Sequence, residues 1–319
     1  MSTVALPDSA AARERVEPHV YRTPLLTSRT LSEETGLDVR LKAEMFQRTG
    51  AYKIRGALNK LSTLSDEERA RGVVCSSAGN HAQGVALAAQ ILGVRAVVCM
   101  AENATPSKVA ATKGYGAEVV QHGTIWDEAD EKARELVERD GLTYVHPFDD
   151  LDLIAGQGTL GLEVIEDWPE VEAIVVPIGG GGLISGVACA VKRARPEVRV
   201  IGVESADGPA MQRSVEAGEL VTIDCGTIID GLRVKRVGAN TFDLVQRFVD
   251  EVVSVPDEVI FENVLWVMGR MKLVVEGAAA APVAALRAGI VPLEPGTRTA
   301  VVLSGGNIDL SQLAGLRWN

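Results

Sequence analysis

Aromatic side chains are scarce in this chain: Phe, Tyr and Trp make up 4% of its 319 residues. A core so poor in rings must be filled by Val, Ile, Leu and Ala. With 32 glycines alongside them, that composition suits an α/β architecture. Positive charge is also short. The 32 Lys and Arg face 43 Asp and Glu, a net charge of −11. That deficit opposes a general affinity for nucleic acid, which needs a basic footprint, and for anionic lipid. Solubility is the simple reason for the acidity. No apolar run reaches the length of a membrane span. Residues 1–12 have neither a basic start nor an apolar core, so no signal peptide is expected.

Cysteine supplies no framework either. Cys75, Cys99, Cys189 and Cys225 stand far apart, with no Cys-x-x-Cys and no His at ligand spacing. Three lie in apolar runs, where a thiol behaves as a small hydrophobe. Reduced core thiols in a cytoplasmic protein are the expectation. Two common nucleotide fingerprints are missing as well. No G-x-G-x-x-G fits within residues 179–186, and no Lys-Ser/Thr follows the glycines there.

What is present is alternation. From residue 72 onward, strands are expected at 72–75, 95–100, 117–121 and 142–145, with helices at 81–92, 106–113 and 124–139 between them. Trp126, Ala129, Ala133, Leu136 and Val137 recur at helical spacing; for Trp126 a core face is at least as good a reading as a functional position near the substrate side. A second alternation has helices near 158–166, 183–194, 257–272 and 278–288, and strands at 173–176, 198–203 and 299–303. Such βαβ order implies parallel sheets.

Four loops fall where elements end, the usual place for ligands in open α/β sheets. The first is Thr49-Gly50-Ala51-Tyr52-Lys53-Ile54-Arg55-Gly56-Ala57, with one Lys opening a helix. A desolvated Lys has a lowered pKa and can form a Schiff base. Taken alone, a snorkelling surface Lys explains it better. The second is Ser76-Ser77-Ala78-Gly79-Asn80-His81, whose amides and hydroxyls suit a carboxylate at a helix N-terminus. An ordinary turn capped by Asn80 explains it equally well. The third is Gly179, Gly180, Gly181 and Gly182, a nest for a phosphate. Four successive glycines have no good structural reason otherwise. The fourth, Ser304-Gly305-Gly306-Asn307, could place a hydroxyl by a ring nitrogen or simply end the last strand.

Together these stations resemble one family. Residues 51–57 are similar to the Ser-Phe-Lys-hydrophobic-Arg-Gly-Ala motif of threonine and serine dehydratases, the fold-type II pyridoxal-phosphate group that also includes serine racemase. Ser77-Ala78-Gly79-Asn80-His81-Ala82-Gln83-Gly84 resembles their substrate loop. His146-Pro147-Phe148-Asp149-Asp150, Ala155-Gly156-Gln157-Gly158-Thr159, the tetraglycine run and Ser304-Gly305-Gly306-Asn307 follow in the family's order. The resemblance runs from Thr23-Pro24-Leu25 to Leu310.

The resemblance implies two doubly wound domains, each a mostly parallel sheet flanked by helices. Residues 1–71 with 150–319 would form the larger, cofactor-binding domain, and 72–149 the smaller, substrate-binding one. It implies that Lys53 carries pyridoxal 5'-phosphate as a Schiff base and acts as general base. Tyr52, where the family usually has Phe, would lie against the ring. Gly179, Gly180, Gly181, Gly182 and Leu183 would cradle the phosphate. Asn80 would meet the ring hydroxyl and Ser304 the pyridine nitrogen. Ser77, Ala78, Gly79, Asn80 and His81 would hold the substrate. The implied reaction is β-elimination from L-threonine to 2-oxobutanoate and ammonia, and from L-serine to pyruvate, by a homodimer or homotetramer. The chain stops soon after Asn307, where biosynthetic relatives continue into a regulatory domain, so a short catabolic form is expected.

Three further expectations follow from the same resemblance. Relatives that bind a cation use a Glu, a carbonyl and an Asp; here Glu204 and Gly208 fill the first two places, but Ala210 stands at the third. No metal is expected unless Asp207 compensates. Ser28, Arg48 and Thr49 fall where some relatives bind a nucleotide effector. Serine racemases carry Ser at the position of Ala78, as the acid–base group opposite the Lys. A racemase, or a dehydratase of hydroxyaspartate or phenylserine, is therefore the nearest rival. A non-catalytic amino-acid sensor is disfavoured by Lys53 and the four loops, and a nucleotide-dependent oxidoreductase by the failed fingerprint.

Overall fold

The computed structural model describes residues 4–309; Leu310, where the family resemblance ends, lies outside the described residues. Among the described residues, ten strands form two sheets. They are β1 (Leu25–Thr27), β2 (Asp38–Ala43), β3 (Val73–Ser76), β4 (Ala96–Met100), β5 (Glu118–Gln121), β6 (Thr143–Tyr144), β7 (Ala173–Pro177), β8 (Arg199–Ser205), β9 (Glu251–Val255) and β10 (Arg298–Leu303). The smaller sheet has the order β5-β4-β3-β6 and is parallel throughout. The larger has the order β1-β2-β10-β7-β8-β9, parallel except for β1 against β2.

Both sheets are covered on both faces, which is why their strands read as near-continuous apolar runs. Successive side chains of a strand point to opposite faces. Thus Val175, Val203, Val301 and Leu303 pack on helix Gly277–Arg287. Ile174, Val176, Ala300 and Val302 pack on Leu160, Val164, Ile184 and Val187, from helices Leu151–Asp167 and Gly182–Ala194. In the smaller sheet Val73, Cys75, Ala96 and Val98 meet helices Asn80–Leu92 and Ile54–Ser62. Val74, Val97 and Cys99 meet Ala129, Ala133 and Leu136 of helix Trp126–Asp140. No helix among the described residues is long and apolar enough to cross a membrane.

Three expectations change. The helix placed at 158–166 begins at Leu151, because the Asp150 carboxylate caps it through the amides of Asp152 and Leu153. Its glycines are packing sites rather than breaks: a Cβ at Gly156 would lie 2.5 Å from the Arg55 carbonyl, and one at Gly56 would meet the Leu153 carbonyl at 2.7 Å. The helix placed at 257–272 is α-helical only over Asp257–Trp266; it widens into a π turn at Val267–Met271 and stops at Lys272, φ 60°. Trp126 is not in the core. It is 51% exposed, and its indole N–H donates to the Ser76 carbonyl at the end of β3 (3.1 Å).

Candidate functional site

Lys53 stands at the N-cap position of helix Ile54–Ser62, and two elements fix that helix. Its close crossing with helix Leu151–Asp167 at Gly56 and Gly156 is one. The other is a buried ion network. Arg55 bonds Glu44 through Nε and Nη2 (2.9 and 2.8 Å) and Glu163 through Nη1 and Nη2 (2.6 and 3.0 Å). Lys42 adds a bond to Glu163 at 2.6 Å. Burial alone would raise the Glu44 carboxyl, but Arg55 beside it holds it below its ordinary value. Removing one member of such a network leaves an unpaired buried charge.

The chain before Lys53 is sewn to the loop after β10. Tyr52 donates its N–H to the Ser304 carbonyl (3.1 Å), Gly306 donates to the Gly50 carbonyl (2.9 Å), and Ala51 pairs with Gly305. Ser304 is buried. On the other side, a Cβ at Gly84 would lie 3.0 Å from the Lys53 carbonyl carbon, so helix Asn80–Leu92 also abuts the Lys53 backbone. The first, second and fourth sequence motifs therefore converge here.

The Lys53 side chain points at the fold's other loop. Its Nζ donates to the Pro147 carbonyl at 2.8 Å and lies 5.3 Å from the Tyr52 ring centroid. Burial pushes its pKa down to about 8, partly offset by the charge of Glu276. An amine so placed is neutral far more readily than a surface Lys.

His146-Pro147-Phe148-Asp149, matched in sequence but given no role there, turns out to be a hub. The amides of Phe148 and Asp149 donate to His146 Nδ1 (3.2 and 2.8 Å), so that nitrogen carries no proton. Asp149 caps helix Ala239–Phe248 through the amides of Ala239, Asn240 and Thr241. The Phe148 ring fills the space a Cβ at Gly180 would need, 2.2 Å away.

The tetraglycine run opens helix Gly182–Ala194. Gly181 is left-handed (φ 95°), and no side chain caps the helix. The first amides of a helix have no intrahelical acceptor, and among the described residues none takes the N–H of Gly179, Gly180 or Gly181. Uncommitted amides converging on a helix N-terminus are what a phosphate requires.

The loop after β3 behaves differently from its reading in sequence. Gly79, not Asn80, is the N-cap of helix Asn80–Leu92, again without a side-chain cap. The Ser77 amide is spent on the Cys99 carbonyl (3.1 Å), and Ser77 Oγ accepts from Gly79 N–H (3.1 Å). Ser77 therefore offers an anion its hydroxyl rather than its amide. His81 is 3% exposed, its Nε2 bonded to the Val145 carbonyl (2.9 Å). Burial, then the charge of Lys53, push it down to about 3, so it is neutral and can hold an anion only through its backbone. Ala78 is half-buried in the same loop.

Glu276 escaped the sequence reading. Its Oε1 accepts from Asn80 Nδ2 (2.7 Å), and burial raises its carboxyl. The one available signal was a Glu immediately before the buried small-residue run 277–281. An ion pair from Lys108 to Asp230 (3.0 Å) crosses from the helix before β5 to the loop whose Gly231 carbonyl abuts Gly179.

The remaining expected residues have structural engagements. Both Glu204 oxygens accept amides, of Met211 (2.8 Å) and Gln212 (2.7 Å), and burial lifts this carboxyl to about 7. Asp207 Oδ2 accepts the Asp257 amide (2.9 Å). Ser28 caps helix Arg29–Thr35, Arg48 donates to the His19 carbonyl, and Thr49 is buried. Cys75, Cys99 and Cys189 are buried free thiols and Cys225 is half-buried.

The chain is similar to known proteins over nearly its whole described length. The family model described as pyridoxal-phosphate dependent enzyme matches residues 16–305. An L-threonine ammonia-lyase of Thermotoga maritima is 48% identical over 97% of this chain and 77% of its own length. The catabolic L-threonine dehydratase TdcB of Escherichia coli K12 is 44% identical over 98% of this chain and 95% of its own. Among solved structures, maize serine racemase superposes with a TM-score of 0.92 at 35% identity, covering 97% of this chain and 96% of that one.

Proposed function

The chain belongs to the pyridoxal-phosphate-dependent enzymes, and from that premise we infer that it deaminates L-threonine to 2-oxobutanoate and ammonia, and L-serine to pyruvate. The observation that carries the reading is the position of Lys53. Its depressed-pKa amine donates to the Pro147 carbonyl, next to the Phe148 ring that abuts Gly180, while its backbone abuts helix Asn80–Leu92 and follows the stretch bonded to the Ser304 loop. The threonine specificity is supported by the names of relatives at 44–48% identity.

The residues fit the cofactor. The free amides of Gly179, Gly180 and Gly181, with those opening the helix at Gly182 and Leu183, would hold its phosphate; Tyr52 would flank its ring, and Ser304 and Asn80 would meet its polar edges. When bound, it supplies an electron-poor ring that stabilises the electron pair released at the substrate α-carbon. Ser304 would present a neutral hydroxyl, rather than an acid, to the ring nitrogen. Lys53 Nζ takes the α-proton as general base. The Ser77 hydroxyl and the amides of Ala78, Asn80 and His81 would orient the substrate carboxylate. Residues 72–149, which contain the four-stranded sheet, would form the substrate-binding domain, and 1–71 with 150–319 the cofactor-binding one.

The reading includes a cytoplasmic homo-oligomer without a bound cation, the last supported by the commitment of both Glu204 oxygens to backbone amides. The racemase alternative lacks a proton carrier at Ala78. The test is release of ammonia and 2-oxo acid from a panel of L-threonine, L-serine, 3-hydroxyaspartate and phenylserine, with and without a chelator. Highest kcat/KM on L-threonine is expected; a protein that turns over none of these overturns the reading.

A further inference from the structure

Asn80 bonds two side chains remote in sequence, and chemistry alone fixes which way its amide points. The backbone carbonyl of Thr49 can only accept. The Asn307 atom 2.7 Å from it must therefore be Nδ2. That same Nδ2 lies 2.8 Å from Asn80. Both its hydrogens are then committed, and the Asn80 atom it meets must be Oδ1. Asn80 Nδ2 is left on the far side, 2.7 Å from Glu276 Oε1. The orientation holds whatever the protonation of Glu276. One N–H of Asn80 remains without an acceptor among the described residues.

The backbone is shaped to admit this relay. At Gly50 (φ 72°) a Cβ would lie 2.5 Å from Asn307 Oδ1, and at Gly305 a Cβ would lie 2.7 Å from Glu276 Oε1. Glu276 occupies the N-cap position of helix Gly277–Arg287, yet its side chain makes no cap bond; it turns to Asn80 instead. It is delivered there by the π turn Val267–Met271 and by left-handed Lys272, the one described non-glycine residue with positive φ. Such a conformation costs energy and persists only where the surroundings impose it. The Glu276 amide is pinned to the Gly305 carbonyl at 3.1 Å.

We propose that Glu276 and Asn307 are positioning residues that clamp the Asn80 amide, presenting its one uncommitted N–H as a fixed donor to the cofactor. The proposal rests on the reading of this cleft as a pyridoxal-phosphate site. A donor held there favours an ionised, accepting oxygen on the ring. It also gives Gly50, Gly305 and Asn307 a role that the bare motifs did not reveal.

The test compares Glu276→Gln, Glu276→Ala and Asn307→Asp, each stripped of cofactor and titrated with pyridoxal phosphate. Glu276→Ala and Asn307→Asp should weaken the cofactor Kd about tenfold or more, the worth of a charge-assisted hydrogen bond. Both should displace the visible absorption band and lower kcat, with KM for L-threonine nearly unchanged. Glu276→Gln keeps an accepting oxygen and should stay within about threefold of wild type. The cofactor-free melting temperatures should stay together, which separates positioning from a structural defect. An unshifted band and Kd in Glu276→Ala overturn the proposal, as does a Glu276→Gln as impaired as Glu276→Ala. If Glu276→Ala does not fold, Asn307→Asp decides by the same band and Kd. A wild-type protein that shows the band but makes no 2-oxobutanoate overturns the substrate assignment and leaves this test intact.

Discussion

The amine of Lys53 reaches the Pro147 carbonyl across 2.8 Å, joining two motifs 94 residues apart in the chain. The contact holds Nζ in the cleft and out of bulk water. If Lys53 is both the attachment point and the base, as proposed, its replacement by Ala should lower dehydration at least about a thousandfold. The visible band of bound cofactor should disappear. The fold should survive, because a half-buried, desolvated ammonium is a burden on stability rather than a support. Turnover near wild type in Lys53→Ala would remove the central assignment.

The same amine gives the cofactor-free protein a definite pH dependence. Burial pushes Lys53 from its ordinary 10.5 down to about 8. Between these values the unfolded chain binds more protons than the folded one, so stability rises with pH across that window. The stabilisation is fully present above the unfolded value and is lost as pH falls through about 8. Melting temperatures of cofactor-free wild type and Lys53→Ala, taken from pH 7.5 to 10.5, should diverge in slope. Parallel curves would show that the amine is not desolvated.

Gly180 is the glycine of the cradle with the least room. A Cβ there falls 2.2 Å from the Phe148 ring, and Phe148 cannot retreat without moving the Pro147 carbonyl and the Asp149 cap. Gly180→Ala should therefore cost about 1–3 kcal/mol in stability, as overpacking does, and weaken pyridoxal phosphate binding. Gly114→Ala is the control, because a Cβ meets nothing within 4 Å there and lies in a helix, where Ala is favoured. Denaturant titrations of both variants, with and without cofactor, measure the difference. Equal stability for the two would show that the Phe148 loop has slack.

Much of this was legible in the sequence because parallel strands buried on both faces leave uninterrupted apolar runs. β3, β4, β7 and β10 lie within a residue or two of their expected bounds. β1, β2 and β9 were not read: Asp38–Ala43 alternates Asp, Val, Arg, Leu, Lys, Ala, and its Lys42 is charged yet wholly buried by pairing with Glu163. That alternation is itself the pattern of a half-buried strand, and only the wholly buried Lys42 departs from it. In the site, the motifs named Lys53 and the glycines, but not what each faces. In sequence Asn80 reads either as a helix cap or as a ligand of the ring hydroxyl; it does not cap, and its side chain sits between Asn307 and Glu276. His81 looked like a substrate ligand, but its ring is turned to Val145. Glu276 has no motif of its own, since its place depends on a π turn and a left-handed Lys that local pattern does not announce.

In the proposed function, Ala78 is the residue that would separate elimination from racemisation in this cleft. Racemisation needs a proton donor on the face of the α-carbon opposite Lys53, and a methyl group holds no transferable proton. Ala78 is half-buried, packed at the edge of the small-sheet core, and its neighbour Gly79 has open space where a Cβ would stand. A Ser hydroxyl in that loop adds one polar atom beside groups that already hydrogen-bond, so Ala78→Ser should fold normally. Wild type should convert L-serine to pyruvate with almost no D-serine, and Ala78→Ser should add measurable D-serine while losing less than about tenfold in dehydration. Chiral chromatography of the residual serine, with pyruvate measured in the same samples, reads both activities. Abundant D-serine from the unmodified enzyme would mean that another group protonates the opposite face. Of the charged and polar side chains described at this cleft, Glu276 is on the Asn80 side and His81 is turned inward. The Ser77 hydroxyl would then be the group to replace next.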